Sequence, residues 1–378
     1  MKKYTAFPLA ITTVALTATL ATGCTTAKQT VQTTPTTQAM PTLALVLGGG
    51  GTRGYAHIGA IKALEEHGIR PNLVVGTSAG AMVGAIYASG KRIQDIEHAA
   101  LTLNDTDLLT LAPSKQGLID GTAIRRFVND QVKHQTIEKF PTRFAAVATD
   151  AHAKTAVTIR QGDAGLAVQA SSSLPNLFIA PRIPEHGGKK YTDGGQVALL
   201  PSAIAKSLGA DMVIAVDVMA TPTPPAQDKR TAQPTKNTAG IARTDTGIKA
   251  VWGDEVIEFP INKDAIAKST QGLPISIDVD KLLGMIPNNA QIPLPANFPK
   301  TLPKTKGEMI RTINDVFLQN TSRATTADIQ ASDVLIAPDL SAYAIFDPTD
   351  KEKIIQAGYD ATLQQMDQIK ALLAKHGK

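Results

Sequence analysis

A serine between glycines, placed directly after a short apolar run, is the feature that most constrains the fold of this chain. Residues 73–80 read Leu-Val-Val-Gly-Thr-Ser-Ala-Gly. This spacing fits the G-x-S-x-G elbow, in which a sharp strand-to-helix turn lifts a serine hydroxyl clear of a sheet. Gly76 and Gly80 leave room for such a turn because they carry no side chains. The small and apolar residues 81–87 then predict a buried helix, so Ser78 is a candidate nucleophile at a helix N-terminus.

A second apolar run also enters a glycine-rich turn. Residues 43–54 read Leu-Ala-Leu-Val-Leu-Gly-Gly-Gly-Gly-Thr-Arg-Gly, which predicts a buried strand followed by a tight turn. Without side chains, several backbone N–H groups can converge on one point and hold an anion or a developing oxyanion. Arg53 either adds positive charge to this loop or anchors it. Residues 55–67 carry apolar side chains at helical spacing and predict a helix.

The same loop satisfies the G-x-G-x-x-G pattern of dinucleotide-binding proteins through Gly49, Gly51 and Gly54. That interpretation expects an acidic residue near the end of the second strand, where it would hold a ribose hydroxyl. Here the second predicted strand runs directly into the serine elbow, and the acidic residue is missing. A P-loop is also disfavoured, since no Gly-Lys-Ser/Thr closes the glycine run. The pattern therefore favours an oxyanion-binding loop over a nucleotide site.

A serine nucleophile needs a base, and the residues leave two alternatives open. Among the seven histidines, His152 and His186 lie in loop-like segments and are the candidates for a triad. Residues 191–195 read Tyr-Thr-Asp-Gly-Gly, and Asp193 can take the proton directly if burial raises its pKa. The same Asp-Gly-Gly run is also compatible with an ordinary turn. The three serines at 171–173 are interpreted as structural.

Three of these segments in this order, residues 48–54, 76–80 and 193–195, resemble the patatin-like phospholipases. More narrowly, they resemble the bacterial branch related to the catalytic domain of neuropathy target esterase. Further segments that resemble the family are residues 170–178, 211–217 and 332–340. The likeness covers residues 43–220 and 307–365. It implies an α/β fold, with a three-layer core built on a mainly parallel sheet and helices on both faces.

The resemblance also implies a mechanism. Ser78 would be the nucleophile and Asp193 the base of a Ser–Asp dyad that needs no histidine, cofactor or metal. The oxyanion hole would be formed by the backbone amides of Gly49, Gly50 and Gly51, with Arg53 at its edge. The expected reaction is hydrolysis of lipid acyl esters, phospholipid or lysophospholipid, through an acyl-enzyme. The alternative is a catalytically weak envelope protein of the same family that binds lipid or a partner.

The first residues indicate a cell-envelope protein. Residues 1–23 begin with Met-Lys-Lys and continue as an apolar, threonine-diluted stretch, which is typical of a secretory signal peptide. Cys24, the only cysteine, follows small residues and resembles a lipidation site, although Ala21 stands where leucine is usual. We expect a lipid anchor in the outer membrane, facing the periplasm; simple secretion is the alternative. The threonine-rich residues 24–42 predict a flexible tether.

The remainder of the chain divides by composition. Residues 43–220 form the predicted catalytic core, 221–306 a Pro/Thr-rich linker and insertion, and 307–378 a C-terminal part that completes the core. The insertion contains predicted strands at 256–259 and 275–279 and a predicted helix at 281–285, and it is a candidate lid over the active site. Helical faces are also predicted at 308–318 and 354–373. The formal charge of +5 is small and dispersed, which argues against a nucleic-acid partner.

Overall fold

The computed structural model describes residues 41–104, 108, 117, 119–220, 238–244, 247–252, 255–260, 290–293, 314–315 and 317–377. The strands are β1 Leu43–Leu47, β2 Leu73–Thr77, β3 Arg143–Asp150, β4 Ala156–Ile159, β5 Arg182–Ile183, β6 Lys189–Asp193, β7 Met212–Val216, β8 Thr238–Thr244, β9 Gly247–Trp252, β10 Glu255–Pro260, β11 Ala290–Pro293 and β12 Val334–Ile336. The helices are α1 Ala56–Glu66, α2 Ala79–Ala88, α3 Ile93–Thr102, α4 Thr122–Gln131, α5 Ala164–Ser171, α6 Ser202–Ser207, α7 Thr326–Ala331, α8 Lys351–Gln364 and α9 Met366–Lys375. The predicted signal peptide, Cys24 and nearly all of the predicted tether lie outside the described residues.

The main sheet has eight strands and is mostly parallel. Its order is β12-β7-β1-β2-β3-β6-β5, with β4 also paired to β3. The pairs from β12 to β3 are all parallel, whereas β4, β5 and β6 pair in the antiparallel sense. Parallel β1 and β2 end at the same edge of the sheet, so both glycine-rich turns begin there. The predicted α/β class is confirmed.

Helices cover both faces of this sheet. Strand β1 shows why, since all five of its residues are buried and successive side chains point to opposite faces. Leu43, Leu45 and Leu47 join the core formed with α1, α2 and α8. Ala44 and Val46 join the second core, which includes Ala205 of α6. The predicted three-layer arrangement is therefore confirmed.

The C-terminal part completes the core, as β12 adds to β7 at the sheet edge and α8 packs against α1. The packing is close, since a Cβ on Gly358 would lie only 1.9 Å from the Ala56 carbonyl oxygen. The single helix predicted for 354–373 is wrong. The chain forms α8 and α9 instead, because Gln365 adopts φ −97° and ψ 1° and interrupts the helix between them.

Part of the predicted insertion forms a separate antiparallel sheet, in the order β10-β9-β8-β11. Strand β10 confirms the predicted strand at 256–259. The predicted strand at 275–279, the helix at 281–285 and most of the helix at 308–318 lie outside the described residues. Within the described part of the chain, no helix has the length and apolar character needed to cross a membrane.

Candidate active site

Ser78 lies at the turn between β2 and α2 in a conformation that few non-glycine residues adopt. Its backbone has φ 52° and ψ −119°, the strained geometry expected of an elbow serine. The flanking glycines are required by space. A Cβ on Gly76 would lie 2.4 Å from the Gly80 carbonyl oxygen, and one on Gly80 would lie 2.1 Å from that of Leu47. The structure therefore has the strand–turn–helix geometry that the G-x-S-x-G spacing predicts.

A buried serine of α5 restrains the backbone of this elbow through hydrogen bonds. The Ser171 hydroxyl accepts a hydrogen bond from the Ser78 backbone N–H at 2.9 Å and donates one to the Val147 carbonyl at 2.5 Å. Ser171 is fully buried, so both bonds are sheltered from water. The sequence indicated a structural role for this serine cluster. The sequence did not predict that Ser171 bonds the backbone of Ser78, the candidate nucleophile.

The sheet brings Asp193 to Ser78. Strand β3 runs parallel to β2 and pairs Val147 with Thr77, and β6 runs antiparallel to β3 and pairs Asp193 with Ala148. The Ser78 side chain lies beside the Asp193 carboxylate and interacts with it, which lowers the pKa of Asp193. The Gly195 N–H donates a hydrogen bond to Asp193 Oδ1 at 2.6 Å. The serine and the carboxylate are thus neighbours in the fold, although they are 115 positions apart in the sequence.

Burial gives this carboxylate the electrostatics of a base. Ser78 is 7% exposed and Asp193 is 2% exposed. Desolvation raises the pKa of Asp193 to about 6, while the hydrogen bond from Gly195 and the interaction with Ser78 act in the opposite direction. A carboxyl group with a pKa near 6 is ionised at neutral pH and remains basic enough to take a proton in a reaction.

The two histidines predicted as triad candidates lie elsewhere. His152 is exposed in the turn between β3 and β4, and His186 is exposed in the turn between β5 and β6. Ser78 is buried, and its side chain interacts with the buried Asp193 carboxylate. Of the two alternatives that the sequence left open, the described geometry favours the carboxylate over either histidine.

The glycine loop runs beside the serine and presents two N–H groups that have no partner among the described residues. A Cβ on Gly49 would lie 3.4 Å from Ser78 Cβ, which shows how closely the loop approaches. The Gly49 N–H donates to the Leu199 carbonyl at 2.9 Å. The sequence predicted the Gly49 N–H as a donor of the oxyanion hole. An N–H that already bonds a protein carbonyl is not available to a substrate. Gly50 and Gly51 keep their N–H groups unpaired within the described part of the chain.

Arg53 anchors the loop instead of lining it. The side chain is 1% exposed, and its Nε and Nη2 donate to the Tyr343 carbonyl at 2.9 and 2.8 Å. Thr52 adds a bond from its N–H to the Ile345 carbonyl at 2.7 Å. We predicted Arg53 at the edge of the oxyanion hole. The structure gives it an anchoring role instead, because its side-chain donors bond the C-terminal segment.

Residues 45–206 match the model of the patatin-like phospholipase family. This matched segment is less than half of the chain, and it contains Ser78, Asp193 and the glycine loop. No group of three His, Cys, Asp or Glu side chains within the described ranges could hold a metal ion.

Known proteins of two kinds are similar to about half of this chain. An uncharacterized NTE family protein of Mycobacterium tuberculosis is 38% identical over 191 residues, which is 50% of this chain and 52% of that protein. Human patatin-like phospholipase domain-containing protein 6 is 36% identical over 183 residues, 47% of this chain and 13% of that protein. The chain thus spans about half of the mycobacterial relative. Among solved structures, VipD from Legionella pneumophila aligns with 87% of this chain and 67% of its own, at 16% identity and a TM-score of 0.42.

Proposed function

We propose that this protein is a serine hydrolase that cleaves acyl esters of lipids, either phospholipids or lysophospholipids. The observation that carries the proposal is that Ser78, at a strained elbow, and the Asp193 carboxylate lie buried beside each other in the segment that matches the patatin-like family. A serine hydroxyl is a weak nucleophile unless a neighbouring base takes its proton. Asp193 has both the contact and the raised pKa that this role needs.

The proposed reaction has two steps that share one base. Asp193 accepts the Ser78 proton as the serine oxygen attacks the ester carbonyl. The resulting oxyanion accepts hydrogen bonds from the Gly50 and Gly51 N–H groups, and loss of one such donor costs about 10²–10³-fold in rate. The intermediate collapses to an acyl-enzyme on Ser78, and protonated Asp193 returns the proton to the departing alcohol. Water, deprotonated by Asp193, then attacks the acyl carbonyl; the bond to the Ser78 oxygen breaks, the fatty acid leaves, and Asp193 returns the proton to Ser78.

We also propose that the protein acts at the cell envelope. The support is in the sequence: a signal-like segment at residues 1–23, Cys24 after small residues, and a threonine-rich tether at 24–42. A lipid on Cys24 would hold the hydrolase at the outer membrane, beside lipid esters. Cys24→Ser should move the protein from the membrane to the soluble fraction, and mass spectrometry of the mature N-terminus should find the lipid only in the natural chain. A cysteine without lipid would contradict this localisation.

The function is tested by labelling the purified mature protein with a fluorophosphonate and locating the adduct by mass spectrometry. We expect one phosphonyl group on Ser78, with no labelling of Ser78→Ala. Ser172→Ala is the matched control, since the Ser172 hydroxyl is buried without a partner among the described residues, and it should be labelled as the natural protein is. Absence of labelling with and without detergent micelles would overturn the proposal and favour a protein that binds lipid without hydrolysing it.

A further inference from the structure

His57, a residue that the proposed mechanism does not use, is fully buried in the first turn of α1. It is 0% exposed, and burial lowers the pKa of its imidazole to about 4, so the ring is neutral at physiological pH. Its Nε2 lies 2.7 Å from the Gly48 carbonyl oxygen. Since a carbonyl oxygen can only accept, Nε2 carries the hydrogen and donates it, which fixes the tautomer.

The other ring nitrogen of His57, Nδ1, shows that packing alone does not explain why a histidine stands at this buried position. In that tautomer Nδ1 is an acceptor, and it is buried with no hydrogen-bond partner among the described residues. A buried polar atom without a partner is unfavourable for folding. The neighbours of His57 in α1 are Ala56 and Ile58, both buried, so an apolar side chain would suit the same surroundings. The hydrogen bond to Gly48 is what distinguishes histidine there.

That bond completes the restraint of one peptide unit. The Gly48 carbonyl is held by His57, and the N–H of the same peptide, which belongs to Gly49, is held by the Leu199 carbonyl at 2.9 Å. The peptide plane is therefore fixed at both ends. The next two N–H groups along the chain, those of Gly50 and Gly51, have no partner among the described residues and directly follow Gly49, which lies against Ser78.

We infer that His57 is a positioning residue for hydrolysis: its Nε2–H fixes the Gly48–Gly49 peptide and thereby aims the Gly50 and Gly51 N–H groups at the oxyanion. This inference rests on the proposed function. Small misplacements of catalytic groups, of about 1 Å, can cost about 10²-fold in rate. Loss of the His57 bond should therefore affect transition-state stabilisation more than substrate binding.

The test compares His57→Leu, which lacks the donor, with His57→Gln, whose amide can donate to the same carbonyl. With p-nitrophenyl butyrate as substrate, we expect His57→Leu to lower kcat about 10–10²-fold with KM changed by less than about threefold. His57→Gln should recover most of that loss. The matched control is His67→Leu, at the residue directly after α1, since His67 also bonds a backbone carbonyl, that of Ala63 at 2.8 Å, but is exposed. This control should keep its full activity.

Two further readouts separate positioning from general weakening of the fold. A trifluoromethyl ketone, which forms an oxyanion on the serine, should bind His57→Leu about 10-fold or more less tightly. The loss of activity at acidic pH, which depends on the ionisation of Asp193, should occur at the same pH in His57→Leu as in the natural protein. Rates are measured well below the thermal midpoint of each variant. His57→Leu with kcat and ketone affinity within twofold of the natural protein would overturn the inference alone. A natural protein that neither hydrolyses the ester nor labels at Ser78 would overturn the proposed function and this inference with it.

Discussion

At the residue scale, the catalytic role proposed for Asp193 and the stability of the fold make opposite demands on this residue. Its carboxyl group is buried beside Ser78, and that burial raises its pKa to about 6. The folded protein therefore binds this proton more tightly than the unfolded chain, where the ordinary value is 3.8. The free energy of unfolding falls as pH rises from about 4 to about 6, and the penalty remains above pH 6. The ionised Asp193 carboxylate thus destabilises the fold.

Asp193→Asn should abolish hydrolysis and stabilise the protein at neutral pH. An amide cannot take the serine proton, so we expect kcat/KM to fall by at least about 10³-fold. The two-unit rise in pKa corresponds to about 3 kcal/mol, so the variant should gain up to that amount at pH 7.5 and almost none at pH 4. Denaturant unfolding at both pH values measures the gain. An equal effect at the two pH values would contradict the assignment.

The natural protein should lose activity below about pH 6, because only the ionised form of Asp193 can act as the base. We expect kcat/KM to fall tenfold per pH unit on the acidic side. The measurement is hydrolysis of a soluble ester between pH 4.5 and 8. If this decrease of kcat/KM at acidic pH disappears in a variant that lacks both His152 and His186, a histidine base is favoured instead.

Ser171 and its neighbour Ser172 provide a paired test of the elbow. Ser171→Ala removes the acceptor of the Ser78 N–H and the donor to Val147, so we expect a loss of about 1–3 kcal/mol in stability and about 10-fold or more in kcat. Ser172→Ala removes a hydroxyl without a partner in the described structure and should leave both unchanged. Thermal unfolding and ester hydrolysis check the pair. Equal effects of the two substitutions would show that Ser171 has no special role.

At the scale of elements, helix α8 packs against α1, the helix that follows the glycine loop of the candidate site. Helix α1 carries His57 and follows the glycine loop directly, and α8 belongs to the C-terminal part of the chain. Two glycines allow the close approach. A Cβ on Gly59 would lie 1.8 Å from the Ile355 carbonyl oxygen, and one on Gly358 would lie 1.9 Å from that of Ala56. The C-terminal part is thus required for the position of α1.

Gly358→Ala should force these helices apart. Because the new methyl group meets backbone and not a flexible side chain, we expect a loss of at least about 2 kcal/mol in the free energy of unfolding, with reduced activity. Gln356→Ala, at an exposed position of the same helix, is the control and should change stability by less than about 0.5 kcal/mol. Urea unfolding measures both. A Gly358→Ala variant as stable as the control would show that the two helices can adjust without cost.

At the scale of the whole molecule, the described strands form two sheets that share no strand. The main sheet runs from β12 to β5, and the sheet of β8–β11 pairs only within itself among the described residues. The predicted insertion at 221–306 contains this second sheet. Its predicted role as a lid over Ser78 falls largely on residues outside the described structure and stays a prediction.

Replacement of residues 221–306 by a short Gly/Ser linker should leave the catalytic core folded, since the pairing of β7 with β12 does not involve the insertion. We expect fluorophosphonate labelling of Ser78 to persist. If the insertion is a lid, the ratio of activities on micellar and monomeric esters should change as well. Identical rates on esters of every chain length would refute the lid, and an unfolded product would refute the division between core and insertion.

The sequence by itself determined the local features of this protein. Short apolar runs followed by glycines specify two strand-to-turn transitions, and Ser78 stands in one of them, because a tight turn depends on a few neighbouring residues. The candidate nucleophile Ser78 and the glycine loop could be predicted in this way, whereas the choice of Asp193 over a histidine rested on the resemblance to the patatin-like family. The break between α8 and α9 could not be predicted, since the apolar spacing continues through Gln365.

Only the tertiary structure decided which groups meet and in what state. It joined Asp193 to Ser78, committed the Gly49 N–H to Leu199, and carried Arg53 to a carbonyl 290 residues away in the sequence. Such bonds depend on the packing of distant segments, which no local pattern encodes. The pKa of Asp193 has the same origin, because it is set by how much of the folded protein surrounds the carboxyl group.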